Sequence, residues 1–176
     1  ERSSAFFALG IARVTRFPAV AVCTSGTAAA EFLPAVIEAR HGRVPLILIT
    51  ADRPADLQGV GAPQTIDQAG LFGPAAKWSL DLEPPLPGAA APGFAGALAA
   101  RLVAGALDNP PGPVHLNLRF GEPLVPDGAL PAAEAAPPAI LPDVEDAEDV
   151  GVRQGGEQAC LALELDEVAS CRRPHR

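Results

Sequence analysis

The sequence predicts an α/β fold over residues 1 to about 125, a mostly parallel sheet with helices on both faces in three layers. The prediction rests on the order of the elements, on one strand and on the composition. Short runs rich in Val, Leu and Ile alternate with longer segments of helical period. The run PLILIT at 45–50 is apolar without a break, as a parallel strand covered on both sides must be. Ala supplies 35 of the 176 residues and aromatic residues only 5%, so the core has to be built from small side chains on closely approaching helices.

Residues 3–15, SSAFFALGIARVT, place Ala5, Leu9 and Ala12, together with Phe6, Ile11 and Val14, at spacings that suit a buried helix. AVAVCT at 19–24 is a Val-rich strand that runs into Thr24-Ser25-Gly26-Thr27. GTAAAEFLPAVIEARHG at 26–42 continues as a helix, in which Pro34 removes a backbone donor and predicts a kink or a division into two pieces. After PLILIT, residues 51–73 are polar and Gly-rich and leave the C-terminal end of a strand, the place where open α/β sheets bind ligands. KWSLDL at 77–82 predicts a strand, GFAGALAARLVAGALD at 93–108 a helix, and PVHLNLRF at 113–120 a further strand introduced by a Pro-Gly-Pro turn.

The second half is composed differently. Of 20 prolines, 13 fall between residues 84 and 142, too many for uninterrupted regular structure. Residues 131–170 carry 10 acidic residues and Arg153 as their one basic residue, so most of the net charge of −8 lies there. Residues 126–176 are therefore expected to form a linker and tail, disordered or outside the family of the preceding domain, with CLALELDEVAS at 160–170 as a short amphipathic helix.

Composition and motifs exclude several function classes. There is no basic footprint for nucleic acid and no apolar run near the roughly 18 to 20 residues that span a bilayer, so a soluble cytoplasmic protein is expected. Cys23, Cys160 and Cys171 form no C-x-x-C pair and are odd in number, which argues against a disulfide framework, and Cys23 reads as a buried thiol. No signal peptide is visible; the sequence contains no Met and opens with Glu1 directly before a helix, as a fragment would. His41, His115 and His175 have no partner at metal-ligand spacing, so no metal site is expected. A phosphate loop is missing, Gly59-Val60-Gly61 lacks the third glycine of a dinucleotide fingerprint, and Ser25 lacks the preceding glycine of a nucleophile elbow.

What remains is a set of polar groups at predicted strand ends. Thr24 to Thr27 can serve as a helix N-cap or as a ligand contact. Arg53 can pair internally with a neighbouring Asp such as Asp52 or fork onto a ligand carboxylate. Gln64, Asp67 and Gln68 read as solvated loop residues. On their own, these features describe an α/β domain with one polar ligand face.

Read together, ERSSAFFALG, VCTSGTAAAEFLPAVIEA, PLILITADRPADLQGVGAPQTIDQAGLFG and GPVHLNLRFGEPL resemble the pyrimidine-binding domain of thiamine-diphosphate enzymes over residues 1 to about 125. TSGTA and EPL are shared in part with acetolactate synthase and its relatives. TADRP followed by GAPQTIDQ resembles more narrowly the family of 2-succinyl-5-enolpyruvyl-6-hydroxy-3-cyclohexene-1-carboxylate synthases of menaquinone biosynthesis. The resemblance implies a cytoplasmic transferase that decarboxylates 2-oxoglutarate and adds the carbanion to isochorismate, with thiamine diphosphate as electron sink. It implies Mg2+ held by a diphosphate-binding domain absent from this sequence, and a homodimer or homotetramer with the active site between subunits. It also implies that Glu1 is the catalytic glutamate that hydrogen-bonds the aminopyrimidine ring and so also binds cofactor. Thr27 would lie against the cofactor, and Arg53 and Gln64 would bind the isochorismate-derived part of the substrate. A first strand and a Gly-Ser-Arg loop would precede Glu1, and the chain alone could not complete an active site. Two other readings stay open: a thiamine-diphosphate lyase of the acetolactate synthase type, and a non-catalytic α/β binding module.

Overall fold

The computed structural model describes residues 1–83, 91–122 and 124. Four strands, β1 Ala19–Cys23, β2 Leu46–Asp52, β3 Ser79–Leu82 and β4 Pro113–Arg119, form one parallel sheet in the order β1-β2-β4-β3. Strand β2 runs two residues beyond the expected end at Thr50, because β4 pairs with it throughout, from Leu46↔Pro113 to Asp52↔Arg119. Asp52 is thus a strand residue and Arg53 the first residue after the strand. Helix α1 spans Arg2–Thr15.

The helix expected at 26–42 is two helices, α2 Thr27–Ala30 and α3 Leu33–Gly42, with Pro34 in the first turn of α3. A proline is tolerated there, since the donors of a first turn have no intrahelical partner and its fixed φ suits the helix. Helix α4 spans Ala91–Leu107. Its C-terminal carbonyls are satisfied by Lys77, whose Nζ donates to the carbonyls of Gly105 and Asp108 at 2.8 Å each. Gly105 lies against Trp78, and a Cβ at that position would collide with the indole Nε1.

Successive strand residues point to opposite faces, and the two faces are covered by different helices. On one face Ala5, Ala8, Leu9 and Ala12 of α1 and Ala35, Val36 and Ala39 of α3 pack with Phe32 and Phe72 over Ala21, Leu46 and Leu48. The alanines let these helices lie close to the sheet. Phe32 and Phe72 are buried, each contributing roughly 1.5 to 3 kcal/mol by transfer from water. On the other face Leu102 and Ala106 of α4 pack on Ile47, Val114 and Leu116. This is the three-layer α/β arrangement expected from the sequence.

Helix α1 corrects one expectation. Ala5, Leu9 and Ala12 are buried as expected, but Phe6, Ile11 and Val14 are exposed, because the helix has the sheet and α3 on one side only. Phe7, Ile11 and Val14, spaced i, i+4, i+7, form an apolar outward stripe that is 73%, 44% and 84% exposed. Val20 and Val22 of the edge strand β1 are exposed too, since α4 sits over β2 and β4 and does not reach them.

The linker and tail expected at 126–176, with Cys160, Cys171, His175 and the stretch 160–170, lie outside the described residues. Among the described residues no helix is long and apolar enough to cross a membrane.

Candidate functional site

The face of the sheet beneath α1 and α3 changes character along the strands. Toward the N-terminal ends it presents Leu46 and Leu48; toward the C-terminal ends it presents Thr50 and Asp52 of β2, His115, Asn117 and Arg119 of β4, and Asp81 of β3. Register brings these together, Asn117 lying opposite both Thr50 and Asp81. Thr50, Asp52, His115, Asn117 and the loop residue Gln68 are all buried, at 0–3% exposure, so each polar atom has to find a partner in the interior.

The partners form one network with Asn117 at its centre. Asn117 Nδ2 donates to Asp52 Oδ2 at 2.8 Å and to Asp81 Oδ1 at 2.7 Å. Its Oδ1 accepts from Thr50 Oγ1 at 2.7 Å and from Gln68 Nε2 at 3.0 Å. Two carboxylates on one side can only accept, which sets the Asn117 amide orientation and commits the Thr50 hydroxyl proton to Asn117. The His115 Nε2, 2.8 Å from Thr50 Oγ1, must then carry the proton and donate, leaving Nδ1 as a bare acceptor. Among the described residues Nδ1 indeed has no partner. A second proton there would be buried and unpaired, and burial pushes the His115 pKa down to about 4, with Asp81 opposing the shift. His115 is a neutral structural histidine, edge-on to Phe72 at 4.6 Å between ring centroids. Arg119 closes the network from the surface, forking onto Asp81 at 2.6 and 3.2 Å.

The loop after β2 clamps the turn between β1 and α2. Gln64 reaches over the outside, Nε2 donating to Thr24 Oγ1 at 3.0 Å and to the Ser25 carbonyl at 3.1 Å. Gln68 reaches from the inside, its Oε1 accepting the Gly26 amide at 2.7 Å while its Nε2 donates to the Ala51 carbonyl at 3.0 Å. Gly26 has φ +85°, and a Cβ there would lie 3.0 Å from Gln64 Cγ, so the close approach and the backbone conformation both require glycine.

Two clefts open at this end of the sheet. The smaller, about 240 Å3, is lined by Glu1, Thr24, Ser25, Thr27, Glu31 and Gln64 among others. The larger, about 590 Å3, is lined by Gln58, Gly59, Gly61, Thr65, Asp67 and Arg119 among others. Of the residues predicted from sequence, the smaller cleft gathers Glu1, Thr27 and Gln64, drawn from three separate segments. Arg53 lines neither cleft. It follows β2, its backbone N–H donates to Asp52 Oδ1 at 2.7 Å, and its Nε is buried without a partner among the described residues.

Several sequence expectations change here. The internal Asp52–Arg53 ion pair is not made: Asp52 spends its oxygens on the Arg53 backbone, on Gln58 at 3.1 Å and on Asn117, which leaves the guanidinium unpaired among the described residues. The turn at 24–27 is no simple N-cap, since Gly26 is the N-cap residue and no side chain caps the helix. Gln68 is not a solvated loop residue. Glu1 is exposed at the N-cap of α1, and its carboxylate has no hydrogen-bond or salt-bridge partner among the described residues. Cys23 is half-buried; burial, and next the nearby Glu1 charge, push its thiol up to about 11. Among the described residues no three His, Cys, Asp or Glu side chains are grouped to hold a metal ion.

The polar network itself was missed, although its signal is present in the sequence. In PVHLNLR at 113–119 and SLDL at 79–82, polar residues alternate with Val and Leu at period two, which marks one polar and one apolar face.

Comparison with known proteins bears on this site. Residues 1–71 match the family model of the thiamine pyrophosphate enzyme, N-terminal TPP binding domain. The chain is 56% identical over 133 residues to the 2-succinyl-5-enolpyruvyl-6-hydroxy-3-cyclohexene-1-carboxylate synthase of Chloroflexus aurantiacus, an overlap of 76% of this chain and 22% of that protein. The synthases of the same name from Lysinibacillus sphaericus and Thermobifida fusca are 57% identical over 129 residues and 51% over 127. Each overlap covers 72% of this chain, and 22% and 23% of the respective relatives. The chain thus spans between a fifth and a quarter of the length of these curated relatives.

Proposed function

From the premise that this chain belongs to the thiamine pyrophosphate enzymes, among the 2-succinyl-5-enolpyruvyl-6-hydroxy-3-cyclohexene-1-carboxylate synthases, we propose that it forms the pyrimidine-binding part of such a synthase. The reaction proposed for the whole protein is decarboxylation of 2-oxoglutarate and addition of the resulting carbanion to isochorismate, in the cytoplasm. The observation that carries the reading is the meeting of Glu1, Thr27 and Gln64 on one cleft at the C-terminal edge of the sheet.

The residues present fit an aminopyrimidine. Glu1 offers a carboxylate without a partner among the described residues at the cleft, and the turn that bears Thr27 is held on both sides by Gln64 and Gln68. Thiamine diphosphate supplies the electron sink for such a decarboxylating addition. Glu1 would hold a proton at its carboxylate against the ring nitrogen, and Thr27 would bound the pocket beside it. Glu1 is exposed in this chain, so the desolvation that would tune it for proton transfer has to come from a covering surface such as a second subunit. The outward stripe of Phe7, Ile11 and Val14 on the same helix supports a homo-oligomer that covers it. Arg53, whose guanidinium is unpaired among the described residues, would take a carboxylate of isochorismate, and Gln64, with both Nε2 protons given to Thr24 and Ser25, would contact the same substrate through its Oε1. Mg2+ would be held by a diphosphate-binding domain that is not part of this sequence.

The test is turnover by the synthase that carries this chain, assayed with 2-oxoglutarate plus isochorismate and separately with pyruvate. Product with isochorismate that is lost in Glu1→Gln, by a factor of about 100 to 10,000 with cofactor still bound, is the expected result. Turnover of pyruvate alone would assign the chain to an acetolactate synthase type, and unaltered exchange of the thiazolium C2 proton in Glu1→Gln would remove Glu1 from the mechanism.

A further inference from the structure

We infer that Gln68 is a positioning residue, which holds the Gly26–Thr27 turn in register with the C-terminal end of β2. Its assignment to the cofactor side of the site rests on the thiamine-diphosphate reading above; its hold on the turn does not.

The geometry leaves Gln68 little other use. The residue sits on the loop that follows β2, yet it is only 1% exposed and all of its hydrogen-bonding directions point at other elements. Oε1 takes the Gly26 amide at 2.7 Å, and the two Nε2 protons go to the Ala51 carbonyl and to Asn117 Oδ1, both at 3.0 Å. One side chain therefore ties the turn before α2 to the backbone of β2 and to the side chain at the centre of the buried network. Ala51 stands two residues before Arg53, and Gly26 immediately before Thr27. The two residues assigned to substrate and cofactor thus flank the two backbone groups that Gln68 joins.

Gln68 is the connection from the interior. Gln64 bonds the same turn from the exposed side, where water competes for its partners, whereas the Gly26 amide is buried and has Gln68 as its acceptor. Without Gln68 the buried Gly26 N–H is left unpaired, and the backbone at Gly26, with φ +85°, loses the bond that holds it.

The experiment follows amide hydrogen exchange in the synthase that carries this chain, with and without thiamine diphosphate and Mg2+, for the unsubstituted protein, Gln68→Met and Gln68→Glu. Met keeps the length and removes every hydrogen bond, whereas Glu keeps an acceptor for Gly26 and removes both donors. The expected result is Gly26 exchange faster by about tenfold or more in Gln68→Met, with Leu48 and Leu116 unchanged, and largely preserved Gly26 protection in Gln68→Glu. Thiamine diphosphate should perturb Gly26 and Thr27 in the unsubstituted synthase and require about tenfold more ligand to do so in Gln68→Met. Unchanged Gly26 exchange in Gln68→Met, or equal acceleration at Gly26, Leu48 and Leu116, overturns the positioning role. If Gln68→Met fails to fold, Gln68→Glu decides: Gly26 exchange as fast as that of an exposed amide overturns it. No effect of thiamine diphosphate on the unsubstituted synthase overturns the cofactor reading instead, and the two failures are read on different samples.

Discussion

Thr50 Oγ1 and His115 Nε2 lie 2.8 Å apart in the interior, on adjacent strands, and the hydrogen bond between them decides which ring nitrogen of His115 is protonated. Because Thr50 gives its own proton to Asn117, His115 donates through Nε2 and keeps a buried Nδ1 with no partner among the described residues, while Phe72 packs edge-to-face against the ring. The consequence is a histidine that resists charging.

An unfolded histidine titrates near 6.5, whereas burial holds His115 at about 4. Between those values the unfolded chain binds a proton that the folded chain refuses, so this contribution is fully present above pH 6.5 and is lost as pH falls toward 4. The loss should approach roughly 3 kcal/mol at the acid end, since each pH unit across that interval is worth about 1.4 kcal/mol. Urea unfolding between pH 4 and 7.5 of the unsubstituted chain and of His115→Phe checks this. The difference in unfolding free energy between the two proteins should shrink with falling pH, and a difference independent of pH would mean that His115 is not the titrating group.

Asn117→Leu should be among the most destabilising single substitutions in the domain. It leaves Thr50, Gln68, Asp52 and Asp81 without their shared partner, and even one buried unsatisfied group costs about 1 to 3 kcal/mol. Asn117→Asp should be worse at neutral pH than at pH 5, since it sets a third carboxylate against two others. Denaturant midpoints at the two pH values measure both, and Asn117→Asp with the same loss at each would count against the assigned amide orientation.

Gly26→Ala should cost about 1 to 2 kcal/mol for placing a side chain at positive φ, and the new Cβ would press on Gln64 Cγ. The added strain has to open the outer clamp of Gln64 on Thr24 and Ser25. Faster exchange at residues 64–68 together with a lower melting temperature is the expected pairing. A lower melting temperature with unchanged exchange there would separate the strain from the clamp.

Ile11→Arg, at the centre of the exposed stripe on α1, should reduce self-association with little loss of stability, because the residue is 44% exposed and is not one of the buried core residues. Sedimentation velocity over a concentration series gives the answer. Association unchanged in Ile11→Arg and in Phe7→Arg would place the contact elsewhere.

How much of this was legible beforehand depends on how far apart the interacting residues are. The alternation of strands and helices was legible because both periodicities are local: PLILIT shows an unbroken apolar run, and GFAGALAARLVAGALD a helical one. Pro34 divides a helix through its own ring and missing N–H, so the break between α2 and α3 could be read from one residue. Of the four site residues that the sequence resemblance implies, Glu1, Thr27 and Gln64 lie along one cleft and Arg53 lies outside it.

The sequence by itself therefore determined the elements, their order and the residue types available at the strand ends. Tertiary structure alone decided the strand order β1-β2-β4-β3, which sets Asn117 between Thr50 and Asp81. It also decided that Gln68 is buried, that Arg53 is not paired with Asp52, and that Phe7, Ile11 and Val14 face outward. The physical reason is the same in each case. Whether a glutamine in a loop is solvated or buried, or an apolar helix face is core or surface, depends on which remote segment packs against it, and a polar side chain 42 residues from its partner leaves no local trace of the bond it makes.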